Sequence, residues 1–173
     1  QVPPGSEGCL FLPYLSGERT PHPDPHARGA FIGLSLRHGL EHMTRSVLEG
    51  VSFGLNDSLS LMRRLGIDPS NVILSGGGTR STLWKQILCD IFQTDCSLVN
   101  AKEGAAYGAA LLGAVGVGVF DSVESASDHW IAETERVTPS EDSKDYQEFY
   151  SIYGSLYPTL RKTFHSLAER VSD

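Results

Sequence analysis

Three consecutive glycines, Gly76-Gly77-Gly78, follow the apolar run Val72-Ile73-Leu74-Ser75 and precede a helical stretch from Ser81 to Gln93. A glycine turn between a buried strand and a helix lets a ligand touch backbone N–H groups, because no Cβ blocks the approach. The first turn of the following helix adds partial positive charge, which favours phosphate. A short strand, Cys96 to Val99, and a second helix dense in Gly and Ala, Gly104 to Ala114, come next. The chemistry this order points to is nucleotide binding, with Gly76, Gly77 and Gly78 as the candidate contacts.

Other chemistries fit less well. Gly76-x-Gly78 could open a dinucleotide fingerprint, but Ser81 holds the third glycine position. The acid expected about twenty residues on is also misplaced, with Asp95 before the next strand and Asn100 at its end. Gly50-Val51-Ser52-Phe53-Gly54 matches G-x-S-x-G inside a long helical pattern, whereas a nucleophile elbow needs a strand before its serine. Ser52 therefore reads as a small residue that permits helix packing. His22, Asp24 and His26 alternate with Pro21, Pro23 and Pro25, but lack a fourth ligand, so a surface or cleft-lining loop is the better reading and no metal site is assigned. His38 and His42 share a helix face without a carboxylate partner, and His129 and His165 carry no signal. Glu18 and Arg19, in Gly17-Glu18-Arg19-Thr20-Pro21, read as a local ion pair that stiffens a loop. Glu103, just before the second helix, is placed to orient the glycine turn. Trp84 and Trp130 read as core.

The elements that must position these residues form an α/β pattern. Residues 9–15 and 30–36 read as strands, separated by a long ordered loop, Gly17 to Gly29. A helix from about Gly39 to Leu65 carries Leu40, Met43, Val47, Val51, Leu55, Leu59 and Met62 at helical spacing, with Gly66 as its stop and Pro69 beyond. A shorter helix spans Ser122 to Trp130. The final helix is expected to start at Thr138-Pro139-Ser140-Glu141, a capping-box pattern, and to be kinked or divided at Pro158.

The 173 residues suffice for a single domain, 1–173, with residues 138–173 as a C-terminal helical segment. The net charge of −7 argues against nucleic acid or an anionic membrane as partner. Residues 1–120 carry 10 acids and 9 bases, and residues 121–173 carry 11 and 5, so the acidity is expected to lie away from the glycine turn. Three cysteines without a CxxC pair point to a reducing, cytoplasmic compartment. No stretch reaches the length of a membrane span and no signal peptide is evident. The opening at Gln1 and the Val2-Pro3-Pro4-Gly5 run make residues 1–8 linker-like, and the chain reads as a fragment or processed product.

Ser75-Gly76-Gly77-Gly78-Thr79-Arg80-Ser81 with Trp84, Gln86 and Asp90, then Glu103-Gly104-Ala105-Ala106-Tyr107-Gly108-Ala109-Ala110, resembles the adenosine-binding half of FGGY-family carbohydrate kinases. Leu12-Pro13-Tyr14-Leu15-Ser16-Gly17-Glu18-Arg19-Thr20-Pro21 and Ala27 to Leu34 resemble the xylulokinase branch most closely. The resemblance covers nearly the whole chain. It implies the C-terminal lobe of an actin-like ATPase (ribonuclease H-like) fold, a central sheet flanked by helices, incomplete at its N-terminus. It implies ATP or ADP with Mg²⁺ as cofactor, Gly77 and Gly78 near the α-phosphate and ribose, and Ser81 near adenine, where relatives often carry Asn. It places the Glu18–Arg19 loop beside an interlobe cleft, with Glu103 also cleft-lining. The catalytic Asp, the sugar pocket and the D-x-G-T phosphate loop are expected in a first lobe outside the chain, because D-x-G-[ST] occurs nowhere in it. The implied reaction is phosphorylation of a ketopentose, D-xylulose to D-xylulose 5-phosphate, with the fragment alone inactive. Apolar surface bared by a missing lobe could support a homodimer. The alternative is a free-standing nucleotide-binding or interaction module.

Overall fold

The computed structural model describes residues 2–101 and 104–171. The chain divides into two compact units, Gln1–Asp68 with Asp90–Gln93 and Pro139–Asp173, and Pro69–Cys89 with Thr94–Thr138. The fold is mixed α/β, with its strands in two small sheets.

In the first unit a 3-10 turn, Pro4–Gly8, leads into β1 (Leu10–Leu12), which pairs antiparallel with β2 (Ala30–Ile32). Every residue of β1 is buried, because α1 (Leu40–Arg64) packs across it. Gly50 makes that approach possible: a Cβ there would stand 2.1 Å from the Phe11 carbonyl oxygen. At the start of α1 the Gly39 N–H donates to His42 Nδ1 at 3.1 Å. The helix stops where expected, just before Gly66 at φ +85°.

The last helix, α5 (Ser143–Val171), buries one stripe of Tyr146, Tyr153, Tyr157, Phe164 and Ala168. Rings of Tyr146, Tyr150 and Tyr153 surround Phe53 of α1 at centroid distances of 5.2 to 6.2 Å. The helix is not divided at Pro158; its stripe is buried on both sides of that residue. It also begins at Ser143 rather than Pro139, because Ser140 is drawn elsewhere: its N–H and Oγ bind the Asp90 carboxylate at 2.6 and 3.0 Å.

Glu49 of α1, 1% exposed, accepts four hydrogen bonds. They come from the Gly5 N–H (3.0 Å), Ser6 Oγ (2.8 Å), Arg45 Nε (2.8 Å) and Tyr146 Oη (3.0 Å). The opening residues, linker-like by composition, are thus fixed to α1 as a 3-10 turn.

The second unit holds β3 (Asn71–Ile73), β4 (Asp95–Val99) and β5 (Glu133–Val137) in that spatial order, β4 parallel to β3 and antiparallel to β5. Around them lie most of α2 (Thr82–Phe92), then α3 (Gly104–Gly116) and α4 (Val123–Trp130), which pack on each other. Ser122 caps α4 by accepting the Ser125 N–H. β5 was not anticipated. Its Glu-Thr-Glu-Arg-Val sequence shows no apolar alternation, since it is an edge strand whose charges face solvent.

Candidate functional site

The β3–β4 ladder extends past Ile73, where the Leu74 N–H still donates to the Ser97 carbonyl at 2.8 Å. It delivers the chain to Gly76, whose φ of +93° and ψ of −178° suit only glycine. The 3-10 turn Gly77–Arg80 follows, closed by the Thr79 N–H (3.2 Å) and Oγ1 (2.8 Å), both donating to the Gly76 carbonyl. Ser81 then caps α2: its Oγ accepts the Trp84 N–H at 3.2 Å.

The three glycines are needed for different reasons. Gly76 is set by its backbone conformation. At Gly78 a Cβ would lie 2.6 Å from the Trp84 ring. At Gly77 a Cβ would meet no heavy atom within 4 Å. Neither packing nor a left-handed backbone requires glycine there, and the position opens on a hollow.

That hollow has a volume of about 510 Å³. The glycine turn from Leu74 to Gly77, with Thr79 and Arg80, forms one wall; Leu98, Val99 and Ala101 form another; Thr134 of β5 completes it. Arg80 is its only charged lining residue among those described. Glu133 and Glu135 flank Thr134 along β5, but neither lines the hollow. Both are paired. Arg136 and Ser97 hydrogen-bond Glu133 at 2.6 and 2.7 Å and hold its carboxyl down to about 2. Glu135 pairs with Lys85.

Of the residues singled out from sequence, Gly76 and Gly77 line the hollow. Gly78 lies beneath Trp84, and Ser81 stands at the helix cap. Glu103 lies outside the described residues. Thr134 was missed, since its strand was.

Glu18 and Arg19 line a second hollow, of about 850 Å³, in the first unit, with Pro13, Ser16, Gly17, Pro23, Asp24 and Pro25. Glu18 stiffens the loop as expected, but through backbone: its Oε1 accepts the N–H groups of Arg19 (2.6 Å) and Thr20 (3.0 Å). The side chains of His22, Asp24 and His26 do not converge. Asp24 is 4% exposed. Its Oδ2 accepts Tyr157 Oη (2.6 Å) and His165 Nε2 (2.8 Å), and its Oδ1 accepts the His26 N–H (2.9 Å). Burial pushes this carboxyl up, but the three hydrogen bonds outweigh burial and hold it well below the usual range. The His22 ring stacks on Tyr157 at 4.0 Å. Ser52 is buried inside α1 and donates to the Leu48 carbonyl at 2.8 Å, so no nucleophile elbow forms.

A strand and a glycine turn that leads into a capped helix border a hollow of mixed polarity. Residues 1–117 match the model of the FGGY family of carbohydrate kinases, C-terminal domain, and the chain belongs to that family. It is 40% identical over 159 residues to a xylulose kinase of Staphylococcus epidermidis, covering 91% of this chain and 32% of the relative. It is 38% identical over 171 residues to a gluconokinase of Bacillus subtilis, covering 98% and 33%. Among solved structures, a ligand-bound xylulose kinase of Lactobacillus acidophilus superposes with a TM-score of 0.89 at 26% identity, over 96% of this chain and 34% of that one. A glycerol kinase of Plasmodium falciparum, solved with ADP, gives 0.77 at 26% identity, over 89% and 31%. The chain shares the actin-like ATPase fold of these kinases and spans about a third of their length.

Proposed function

We propose that this chain is the ATP side of an ATP-dependent sugar kinase. The open Gly77 position is the observation that carries the reading: it keeps the wall of the hollow free of side chain where a nucleotide would pass against backbone. Leu74, Leu98, Val99 and Ala101 offer apolar surface to a base and ribose, Ser75 and Thr134 offer hydroxyls, and Arg80 adds positive charge. Gly76 and Gly77 contact the nucleotide; Gly78 and Ser81 shape the turn, through Trp84 and the α2 cap. The described lining has no carboxylate, so Mg²⁺, which neutralises charge during phosphoryl transfer, is held by the nucleotide and by groups outside this chain.

The catalytic Asp and the sugar pocket lie in another lobe of the same polypeptide, and the Glu18–Arg19 loop borders the substrate side. The acceptor is a ketopentose hydroxyl, D-xylulose going to D-xylulose 5-phosphate, a reading supported by the xylulose kinases above. Gluconate is the second reading, favoured by the gluconokinase at 38% identity. We place the protein in the cytoplasm. Its three cysteines are buried and form no disulfide among the described residues, and no described helix is long and apolar enough to cross a membrane.

The test is ADP release by the kinase that contains this chain, with D-xylulose and with gluconate. A higher kcat/KM for D-xylulose supports the first reading, and a higher value for gluconate replaces it with the second. No turnover on either sugar overturns both. The chain alone is expected to bind ADP weakly and to show no turnover.

A further inference from the structure

The loop from Gly17 to Gly29 walls the second hollow; within it Glu18 holds the Arg19 and Thr20 N–H groups and Arg28 holds the Pro25 and Ala27 carbonyls. Pro21, Pro23 and Pro25 have no N–H to donate. The backbone hydrogen bonds within it are the exchanged pair between Glu18 and Asp24, at 2.9 Å each, and the Ala27 N–H to the Asp24 carbonyl at 3.3 Å. All three involve Asp24. Its carboxylate, buried at the middle of the proline run, receives the further bonds from Tyr157 and His165. Those two residues lie about two turns apart on α5, so a single rigid helix face grips one carboxylate twice. Ring contacts flank the grip. His22 stacks on Tyr157, Tyr14 meets both edge-on at 6.4 and 5.9 Å, and His26 meets the His165 ring at 5.3 Å. The helix that supplies the grip lies beyond residues 1–117, the part matched by the family model.

We propose that Asp24 is a positioning residue: clasped by Tyr157 and His165, it makes α5 the strut that keeps the Gly17–Gly29 loop folded around the second hollow and presents Glu18 and Arg19 to it. The clasp stands on geometry alone, while its effect on sugar phosphorylation rests on the function proposed above.

Amide exchange of the full 173-residue chain tests the clasp. In Asp24→Ala and His165→Ala, exchange across residues 17–29 and tryptic cleavage after Arg19 and Arg28 should each accelerate about tenfold or more, as expected of local opening. β4 of the second unit should keep its protection. His165→Gln, whose side-chain amide can still donate, should restore most of the loop protection. Unchanged loop exchange in both alanine variants overturns the clasp; so does an equal rise in β4, which would mean global loosening.

The kinase that contains the chain supplies a second readout. His165→Ala should raise the sugar KM several-fold with kcat within about twofold, the pattern of lost uniform binding. A loop that opens without any change in KM overturns the positioning role. A kinase that turns over no sugar defeats the proposed function, and the exchange result then still decides the clasp.

Discussion

The two units treat their charges in different ways. In the first, Glu49 and Asp24 are almost fully buried, and each collects several donors from distant parts of the chain: Glu49 joins the opening turn, α1 and α5, and Asp24 joins the proline loop to α5. In the second, Glu133 and Glu135 are exposed on an edge strand and are balanced by Arg136 and by the buried Lys85. The helices differ likewise. α5 buries a full aromatic stripe, whereas α3, rich in Gly and Ala, buries Leu111 and leaves Leu112 62% exposed. The first unit is organised as a framework around buried carboxylates that each collect several donors. The second keeps small side chains and cancelled charges around an open hollow. Substitutions should therefore unfold the first and disarm the second.

The largest effect is expected at Glu49. Glu49→Ala leaves Arg45 without its carboxylate in a part-buried site and should cost about 3–5 kcal/mol in urea unfolding. A loss below about 1 kcal/mol would show that the node is not holding the unit together. Gly50→Ala comes next. A methyl group pressed against the Phe11 carbonyl should cost about 1–3 kcal/mol, read from the same transitions.

The glycine turn divides the two kinds of effect within three residues. Gly78→Ala must displace the Trp84 ring and should cost about 1–2 kcal/mol. Gly77→Ala enters open space and should leave stability within about 0.5 kcal/mol while weakening ADP binding. Equal stability losses at both would erase the distinction drawn between them.

The smallest effect is expected in the tyrosines. Burial pushes Tyr14 and Tyr150 up to about 12 and raises Tyr146, Tyr153 and Tyr157 as well, all in the first unit. A raised phenol favours the fold through its neutral form. That stability is fully present below the unfolded tyrosine pKa of about 10 and is lost as pH rises toward 12. Phenolate absorbance from these five should stay low near pH 10 and rise cooperatively above it, with loop and α5 amides losing protection first. Early, independent ionisation would contradict the burial of the stripe.

Much of this was legible in the sequence. α1, α2 and the glycine turn follow from apolar spacing and from Gly76-Gly77-Gly78, because local pattern determines them. The motif resemblance identified the family. β5 was invisible because an edge strand needs no apolar alternation, and Thr134 was lost with it. The start of α5 was misplaced because Thr138-Pro139-Ser140-Glu141 looks like a capping box locally, but Ser140 binds Asp90, 50 residues away. The Asp24–His165 contact joins residues 141 apart, a distance no local pattern encodes. His165 alone in a helix carries no mark of its partner.

The central claim is that the hollow beside Gly77 takes an adenine nucleotide. Calorimetric titration of the chain with ADP·Mg, beside a Gly77→Val variant of matched thermal stability, tests it most directly. Weak but saturable binding by the parent chain that is lost in Gly77→Val is the predicted result. Equal ADP binding by both proteins would contradict the assignment and place the nucleotide elsewhere.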